Sequence, residues 1–361
     1  MPARTYLRPT AFVDAPFGLD GKVARLAGGM VWFSAVEIMT LEGGGRVASE
    51  LVQVEVIEPA LSRLGEGAER AWRNLTSQRP PLALGARTVR LDQPQVVGIL
   101  NLTPDSFSDG GKYGDGEAAA AAGFAMAEAG AAIVDVGGES TRPGAKKVWE
   151  GDEIDRVLPT IRRLAGGGTA VSIDTRKAAV MAAALAAGAA MVNDVSALTF
   201  DQGAIPVLAK AACPIVLMHH RGSPETMQDA PYYEQPVLVA VYDWLEERIE
   251  AAEAAGIARE RLIVDPGIGF GKTVQHNLQL LNGLALLQGL GCPVMLGVSR
   301  KRMIGALSGE APADQRLAGS LALALKGAEQ GAQLLRVHDV PETVQALRMW
   351  RGLRDAALTP G

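Results

Sequence analysis

Short apolar runs of strand length recur along most of the chain. They lie at residues 96–100, 132–136, 170–173, 190–192, 214–218, 262–264, 293–296 and 333–337. Each run is mostly apolar rather than regularly alternating, which is typical of parallel strands covered on both faces. The segments between them are rich in alanine and leucine and favour helices, as at residues 117–129, 177–187, 237–255 and 317–330.

This repeated alternation of strand and helix predicts an α/β fold. Eight such units match a closed (β/α)8 TIM barrel, which typically has about 250 residues, better than an open doubly wound sheet. We therefore predict a barrel domain at residues 81–361 and an N-terminal α+β extension at residues 1–80.

The predicted extension has a different pattern. Residues 22–41 alternate loosely between apolar and polar positions and predict a small antiparallel element. Residues 50–75 predict more strand and one helix, and residues 82–91 predict a short hairpin that leads into the barrel. No pattern in the first 80 residues indicates chemistry, so we expect a packing or assembly role for them.

Composition and charge exclude several classes of protein. A net charge of −5 argues against broad binding to nucleic acid or to an anionic membrane, and no apolar run reaches the ~18 residues of a membrane span. The first 30 residues carry charges throughout and lack the apolar core of a signal peptide. Cys213 and Cys292 fit no disulfide or metal pattern, so we expect buried, reduced thiols in a cytoplasmic protein.

Chemically capable residues gather where the predicted strands end, which in a TIM barrel is the catalytic face. They are Asn101, Asp135, Asp174, Asn193, Asp194, Met218, His219, Asp265, Ser299, Arg300, Lys301, Arg336 and His338. A single Asp or Asn at such a position commonly caps a helix or fastens a turn, and this alternative stays open for Asp135 and Asp194, and also for Glu139. It does not explain all eight strand ends.

The loop after the first barrel strand, residues 101–111, is the most polar of these ends. It carries amide, hydroxyl and carboxylate groups together with two glycines, which suits a metal ion or an anionic ligand. An ordinary polar turn is the alternative interpretation.

Two motifs in the sequence are discounted. Residues 267–273 look like a phosphate-binding loop, but Pro266 occupies the position of its first glycine, so we predict a tight loop that brings Phe270 over a ligand. His219 and His220 are neighbours on an extended segment and point to opposite sides, so they do not easily share one zinc ion. His276 is expected on a helix surface or in a helix cap.

Seven segments, taken together, resemble the dihydropteroate synthase family. They are NLTPDSFSDGG at 101–111, GGESTRPGA at 137–145, SIDT at 172–175, NDVSA at 193–197, DPGIGFGK at 265–272, SRK at 299–301 and RVHDV at 336–340. The resemblance covers residues 90–350, in order and at suitable spacing. It implies an enzyme that joins a dihydropterin methyl diphosphate to p-aminobenzoate and releases diphosphate.

The resemblance also implies a binding site for each substrate. Hydrogen-bond partners for the pterin ring would be Asp174, Asn193, Asp265 and Lys301, with Met218 and Phe270 as apolar contacts and Arg336 stacked on the ring. Phe107 and Pro143 would line the p-aminobenzoate pocket, and Thr141 and Arg142 would lie near the diphosphate or the aryl ring. Arg302 stands where many relatives carry a small hydroxyl residue near the benzoate carboxylate.

The implied catalytic set stabilises charge rather than forming a covalent bond. It consists of Asn101, Asp109, Lys301, Arg336 and His338, with Asn101 and Asp109 as ligands of Mg²⁺ at the departing diphosphate. The implied partners are these two small substrates and a second copy of the chain in a homodimer. A methyltetrahydrofolate-type methyltransferase and a non-catalytic pterin-binding paralogue are the alternatives.

Overall fold

The fold is described from a computed structural model. It describes residues 4–358 except residues 44, 103–115, 141–146, 223–226 and 228. Within these residues, no helix combines the length and the apolar character needed to cross a membrane.

The N-terminal part folds as an antiparallel sheet followed by helices. Its elements are β1 (Arg4–Val13), β2 (Ala24–Arg25), β3 (Trp32–Glu42), β4 (Gly45–Gln53), α1 (Ile57–Leu64) and α2 (Glu66–Thr76). Strand β3 lies between β1 and β4, which confirms the antiparallel element predicted from residues 22–41. The prediction of one helix within residues 50–75 was wrong. Gly65 has φ +84°, a conformation that interrupts the helix and separates α1 from α2.

A hairpin and an eight-stranded parallel sheet follow. The hairpin is β5 (Leu82–Leu84) and β6 (Arg87–Val89), as predicted. The sheet strands are β7 (Gln95–Asn101), β8 (Ile133–Gly137), β9 (Val171–Asp174), β10 (Met191–Asp194), β11 (Ile215–Met218), β12 (Leu262–Asp265), β13 (Met295–Gly297) and β14 (Leu334–Val337). Each pairs in parallel, in the order β12-β11-β10-β9-β8-β7-β14-β13. A bridge between Val264 and Val294 joins the two ends, which confirms the predicted TIM barrel.

Helices follow every barrel strand and cover the outside. They are α3 (Gly116–Glu128), α4 (Glu150–Gly166), α5 (Ala178–Ala186), α6 (Ala204–Lys210), α7 (Val237–Ala254), α8 (Val274–Asn282), α9 (Arg302–Leu307), α10 (Leu317–Glu329) and α11 (Val340–Ala357). The four helices predicted from alanine and leucine content are confirmed within two residues at each end.

Apolar residues close one end of the barrel. One inward-facing residue from each strand, or from the position just before it, joins a single buried cluster: Val97, Ile133, Ala170, Met191, Val216, Ile263, Met295 and Leu334. The hairpin adds Leu82, Leu84, Val89 and Leu91 to this cluster. Side chains fill the barrel at the amino ends of the strands. A ligand therefore has access only at the opposite end, where the strands have their carboxyl ends.

The N-terminal sheet packs on the side of the barrel. Its buried residues, such as Phe33, belong to the same apolar cluster as the barrel and its helices. The Tyr6 ring meets the Tyr242 ring edge to face at 5.6 Å, and the Tyr6 hydroxyl donates to Asp243 Oδ1 at 2.9 Å. Both Tyr242 and Asp243 lie on α7. The sheet and the barrel therefore share one continuous core.

Arg79 is a buried link between the two parts. Its side chain is 3% exposed and donates to the carbonyl oxygens of Gln288 at 2.7 Å and Cys292 at 3.3 Å, just before β13. Burial lowers the pKa of Arg79 to about 10, so the guanidinium stays charged at neutral pH.

Neither cysteine is poised for chemistry. Cys213 and Cys292 are both buried and form no disulfide. Burial raises the pKa of the Cys292 thiol to about 12 and also raises that of Cys213. Both thiols are therefore protonated at neutral pH, and the expectation of buried, unpaired cysteines is confirmed.

Arg79→Met should destabilise the whole chain, because it leaves buried carbonyl groups without their donor. We expect the free energy of unfolding in urea to fall by about 2–4 kcal/mol. Arg73→Met on the exposed face of α2 is the matched control and should change it by less than about 0.5 kcal/mol. Equal effects of the two substitutions would contradict this role for Arg79.

Candidate active site

Five polar residues converge at the open end of the barrel. Asp135, Asp174, Asn193, Asp265 and Arg336 lie at or near the carboxyl ends of five different strands. Asn193 pairs with Asp174 in the sheet, and Gly297 pairs with Arg336. A methyl group placed on Gly297 would lie 3.9 Å from Arg336 Cβ and 4.0 Å from Asp265 Oδ2, so these two side chains flank the same glycine. The strand order thus builds one site from distant parts of the sequence.

Arg336 is the centre of this site. Its Nε donates to Asp135 Oδ2 at 2.6 Å and its Nη2 donates to Asp174 Oδ2 at 2.7 Å. Asn193 Nδ2 donates to the same Asp135 oxygen at 2.9 Å. One guanidinium therefore connects two buried carboxylates, and through Asp135 it also orients the amide of Asn193.

The electrostatics of this cluster balance burial against pairing. Burial opposes the charge on Arg336, but Asp135 and Asp174 outweigh it and raise its pKa, so the guanidinium remains protonated. Burial raises the pKa of Asp174 to about 7, although the attraction of Arg336 acts in the opposite direction. Both pKa values are raised because burial dominates at the carboxyl group, whereas the two ion pairs dominate at the guanidinium.

Asp265 is a second carboxylate with a shifted pKa. Burial raises its pKa to about 6, while the N–H of Gly267 and the charges of Lys301, Arg336 and Lys272 oppose the shift. Carboxyl groups that titrate near neutral pH within a cleft are typical of functional sites.

Several buried polar atoms of the cluster have no hydrogen-bond partner among the described residues. They are Asp135 Oδ1, Asn193 Oδ1 and, on β9 next to Asp135 in the sheet, Ser172 Oγ. An unpaired buried acceptor costs about 1–3 kcal/mol, and native proteins contain few of them. Two such acceptors beside Arg336 indicate a site built to receive the N–H groups of a ligand.

The loop that follows β12 supplies the next part of the site. Gly267 N donates to Asp265 Oδ1 at 2.7 Å, which fixes the carboxylate. Lys301 Nζ lies 4.3 Å from the centre of the Phe270 ring. Met218, 4% exposed at the end of β11, packs against Gly267. The structure thus brings together Met218, Asp265, Phe270 and Lys301, all expected to contact one ligand.

Lys272 and His219 contact the backbone of this loop and each other. The sequence analysis gave neither residue a role. Lys272 Nζ lies 2.8 Å from His219 Nδ1 and donates to the carbonyl oxygens of Gly267 at 2.9 Å and Phe270 at 3.0 Å. The glycine-rich sequence that ends in lysine was the available signal, and it pointed to loop geometry rather than to phosphate binding.

The remaining histidines have separate partners. His220 Nδ1 lies 3.2 Å from the carbonyl oxygen of Gly222, so His219 and His220 have different partners and do not form a zinc pair. His276 and Thr273 form a capping box at the start of α8, which confirms the predicted cap. His338 Nδ1 lies 3.0 Å from Ser299 Oγ at the end of β13.

Asn101 lies beside the central cluster. It ends β7 and pairs with Gly137, and a methyl group on Gly137 would lie 3.5 Å from both Asn101 Oδ1 and Asp174 Cβ. Five other predicted residues lie outside the described part of the chain: Phe107, Asp109, Thr141, Arg142 and Pro143. Within the described residues, no group of three or more His, Cys, Asp or Glu side chains is placed to hold a metal.

Three acidic residues for which a structural role stayed open have different outcomes. Asp194 fastens a turn, since its carboxylate accepts from the backbone N–H groups of Ser196 and Leu198. Glu139 accepts from the N–H of Val148 and pairs with Arg176 and Lys177, which is also structural. Among the described residues, Asp135 caps no helix and fastens no turn, and its carboxylate accepts instead from Arg336 and Asn193.

Comparison with known proteins shows the family to which this chain belongs. Residues 97–338 match the model of the pterin-binding enzyme family. The dihydropteroate synthase of Neisseria meningitidis serogroup B is 47% identical over 275 residues, which cover 74% of this chain and 96% of that protein. The structure of Xanthomonas albilineans dihydropteroate synthase with 4-aminobenzoic acid has a TM-score of 0.72 and 50% identity, and covers 77% of this chain and 99% of that one. The same enzyme in complex with 7,8-dihydropteroate has a TM-score of 0.70 and 47% identity, with coverages of 76% and 99%.

The family model covers all eight barrel strands except the first two residues of β7. Every described residue of the candidate site lies within the matched range or at its last residue, His338. The chain therefore belongs to the pterin-binding enzymes and, among them, to the dihydropteroate synthases.

Proposed function

We propose that this chain condenses (7,8-dihydropterin-6-yl)methyl diphosphate with p-aminobenzoate to give 7,8-dihydropteroate and diphosphate. Structures of the Xanthomonas enzyme with 4-aminobenzoic acid and with 7,8-dihydropteroate support this choice of substrate and product. The observation that carries the proposal is the Arg336 cluster with its two unpaired acceptors, since a pterin edge presents several N–H donors at once.

Carboxylates and an amide recognise the pterin in this proposal. Asp265 accepts the two neighbouring N–H groups of the aminopyrimidinone edge, and Asn193 Oδ1 with Asp174 accepts from the rest of the ring. Lys301 donates to the carbonyl oxygen and ring nitrogen. A site of this kind rejects analogues strongly, because each mismatched partner leaves a buried group unpaired.

Apolar and cationic surfaces hold the faces of the ring. Met218 and Phe270 form one face, and the Arg336 guanidinium, kept in position by its two carboxylates, stacks on the other. The cation–π contact of Lys301 with Phe270 orients both side chains before the ligand arrives.

Departure of diphosphate is the charge-separating step. The C–O bond between the methylene carbon and the diphosphate breaks, and its electron pair leaves with the diphosphate. Arg336 and His338 stabilise the growing negative charge, with Asn101 at the same end of the site. The positive charge of the methylene delocalises into the dihydropterin, and the p-aminobenzoate nitrogen forms the new C–N bond and then loses one proton to solvent. No covalent enzyme intermediate is required, which agrees with the two inert thiols.

Mg²⁺ fits the residues present. Asn101 Oδ1 is a neutral oxygen donor beside the site, and this ion commonly binds through one or two protein oxygens together with substrate phosphates and water. We propose Asn101 and Asp109 as its ligands. When bound, the ion would neutralise charge on the leaving diphosphate.

The p-aminobenzoate subsite remains a proposal based on the sequence. We assign Phe107 and Pro143 to its walls and Thr141 and Arg142 to the diphosphate or aryl ring. Arg302 is exposed at the start of α9, immediately after Lys301, where a cation suits the benzoate carboxylate.

We propose a homodimer through the last barrel helices. Met349 and Leu353 lie four residues apart on α11 and are 64% and 73% exposed, and Leu307 at the end of α9 is 61% exposed. On α10, Leu321 and Leu325 are half-buried on one face. Large exposed apolar side chains are typical of a protein interface.

Domain organisation and location complete the proposal. We divide the chain into an extension at residues 1–80 and a pterin-binding barrel at residues 81–361, with the extension supporting α7 and the segment before β13.

Two buried thiols that form no disulfide favour a reducing compartment, and we assign the reaction to the cytoplasm.

Asp265→Asn should weaken pterin binding by at least about a hundredfold, because an amide N–H group then faces the N–H donors of the ring. Two measurements report this loss. The first is the KM for the pterin diphosphate in an assay of diphosphate release, and the second is the calorimetric affinity for a pterin without diphosphate. Asp155→Asn on the exposed side of α4 is the control and should leave both values unchanged. Normal pterin binding by the Asp265 variant would contradict the assignment.

Pterin affinity should also depend on pH. The ionised forms of Asp265 and Asp174 accept the N–H groups of the ring, and burial raises their pKa values to about 6 and about 7. Protonation removes these acceptors, so affinity should fall as the pH decreases through this range. Calorimetric titration of a pterin without diphosphate, at several values between about pH 5 and pH 8, tests this expectation. Constant affinity down to pH 5 would show that neither carboxylate contacts the ring as proposed.

A further inference from the structure

The loop that carries Asp265 and Phe270 has an unusual backbone. Gly267, Gly269 and Gly271 have φ values of +63°, +84° and +65°, which side chains other than glycine rarely adopt. A methyl group on Gly267 would lie 1.8 Å from the carbonyl oxygen of His219, and one on Gly271 would lie 2.4 Å from that of Arg221. The loop is therefore pressed against the chain that follows β11.

Such a backbone cannot pair its carbonyl groups as a helix or a strand does. Within the loop, the carbonyl oxygen of Gly267 accepts from the N–H of Phe270 at 3.1 Å. Lys272 adds a side-chain donor, because Nζ donates to the carbonyl oxygens of Gly267 and Phe270 and also meets His219 Nδ1, all within 3.0 Å. The Lys272 residue is only 2% exposed, so water does not substitute for these contacts.

His219 is held firmly on the opposite side of Lys272. Its ring is 3% exposed and packs edge to face on Trp244 of α7 at 4.9 Å. Burial lowers the pKa of His219 well below its usual value, and the neighbouring Lys272 lowers it further. The imidazole is therefore neutral at neutral pH and hydrogen-bonds to Lys272 without opposing it by charge.

The contacts of Lys272 lead directly to the two ligand-facing residues. Gly267 donates its N–H to Asp265 Oδ1, and the same residue accepts from Lys272 through its carbonyl oxygen. Phe270 accepts from Lys272 through its carbonyl oxygen, while its ring faces Lys301. One amine thus fixes the backbone on both sides of the loop, at the carboxylate and at the aromatic ring.

We propose that Lys272 is a positioning residue for the pterin site, which holds the Asp265 carboxylate and the Phe270 ring in the geometry that binds the ring. It touches no reacting atom and acts through the carbonyl groups of Gly267 and Phe270. This inference rests on the proposed function, and it assigns to Lys272 and His219 a role in recognising the pterin rather than in binding phosphate or arylamine.

Burial is consistent with this role. It lowers the pKa of Lys272 well below the usual value, and the nearby Asp265 opposes the shift while Lys301 adds to it. A buried amine with every hydrogen-bonding direction occupied is a costly group to retain. The contribution of this amine is to hold the geometry of the loop.

Lys272→Met tests the proposal, because it keeps most of the length of the side chain and removes the amine with its donors. The KM for the pterin diphosphate should rise about tenfold to a hundredfold, whereas kcat and the KM for p-aminobenzoate should change by less than about threefold. Calorimetric binding of a pterin without diphosphate should weaken by the same factor as the KM. Lys210→Met on the exposed end of α6 is the matched control and should match the wild type.

His219→Phe is the second variant and protects the test against misfolding of the first. It keeps a ring against Trp244 but removes the contact that holds the Lys272 amine over the two carbonyl groups, so both carbonyl contacts weaken and the pterin KM should rise by about threefold to tenfold. An unchanged pterin KM in this variant overturns the proposal, whether or not Lys272→Met folds.

Different outcomes separate this inference from the function on which it rests. A purely structural role would lower the thermal midpoint and the amount of active enzyme while leaving both KM values unchanged, and this result overturns the positioning role. A parallel rise in both KM values does so as well. A wild-type protein without arylamine-dependent diphosphate release would instead refute the proposed function.

Discussion

The ion pairs of Arg336 with Asp135 and Asp174 are the interaction on which the open end of the barrel depends. They connect β14 with β8 and β9 and orient Asn193 on β10. Burying three charges carries a desolvation cost that pairing only partly offsets, and an apolar set of similar volume is often as stable. The arrangement therefore favours recognition over stability as its explanation, since Asp135 Oδ1 and Asn193 Oδ1 are buried without a hydrogen-bond partner among the described residues.

The rest of the molecule supports this cluster from three directions. The hairpin β5–β6 and a ring of apolar side chains close the far end of the barrel, so the polar end alone admits substrate. The N-terminal sheet packs against α7, and Trp244 of α7 packs against His219, which meets Lys272 beneath the glycine-rich loop. Rigid packing thus reaches from the extension to the loop that carries Asp265 and Phe270.

Sequence patterns predicted the fold well because the barrel strands are buried on both faces and are therefore mostly apolar in sequence. They also predicted that Asp174, Asn193, Asp265 and Arg336 lie close together, because parallel strands end at one edge of the sheet. Sequence patterns did not reveal the role of a residue when that role depends on a partner distant in sequence. In the sequence, Asp135 had the features of a carboxylate that fastens a turn, and only the structure shows its ion pair with Arg336. Lys272 has no sequence neighbour that reveals its acceptors, and Gly65 interrupts a helix through a backbone angle that apolar periodicity does not encode.

The central claim is that this barrel end releases diphosphate from a pterin and transfers the pterin to an arylamine. The most direct measurement is diphosphate release by the purified protein from (7,8-dihydropterin-6-yl)methyl diphosphate and Mg²⁺, with and without p-aminobenzoate, combined with mass analysis of the product. We expect release that depends on the arylamine and an equal amount of 7,8-dihydropteroate. Tight pterin binding without release, or release without the joined product, would contradict the account.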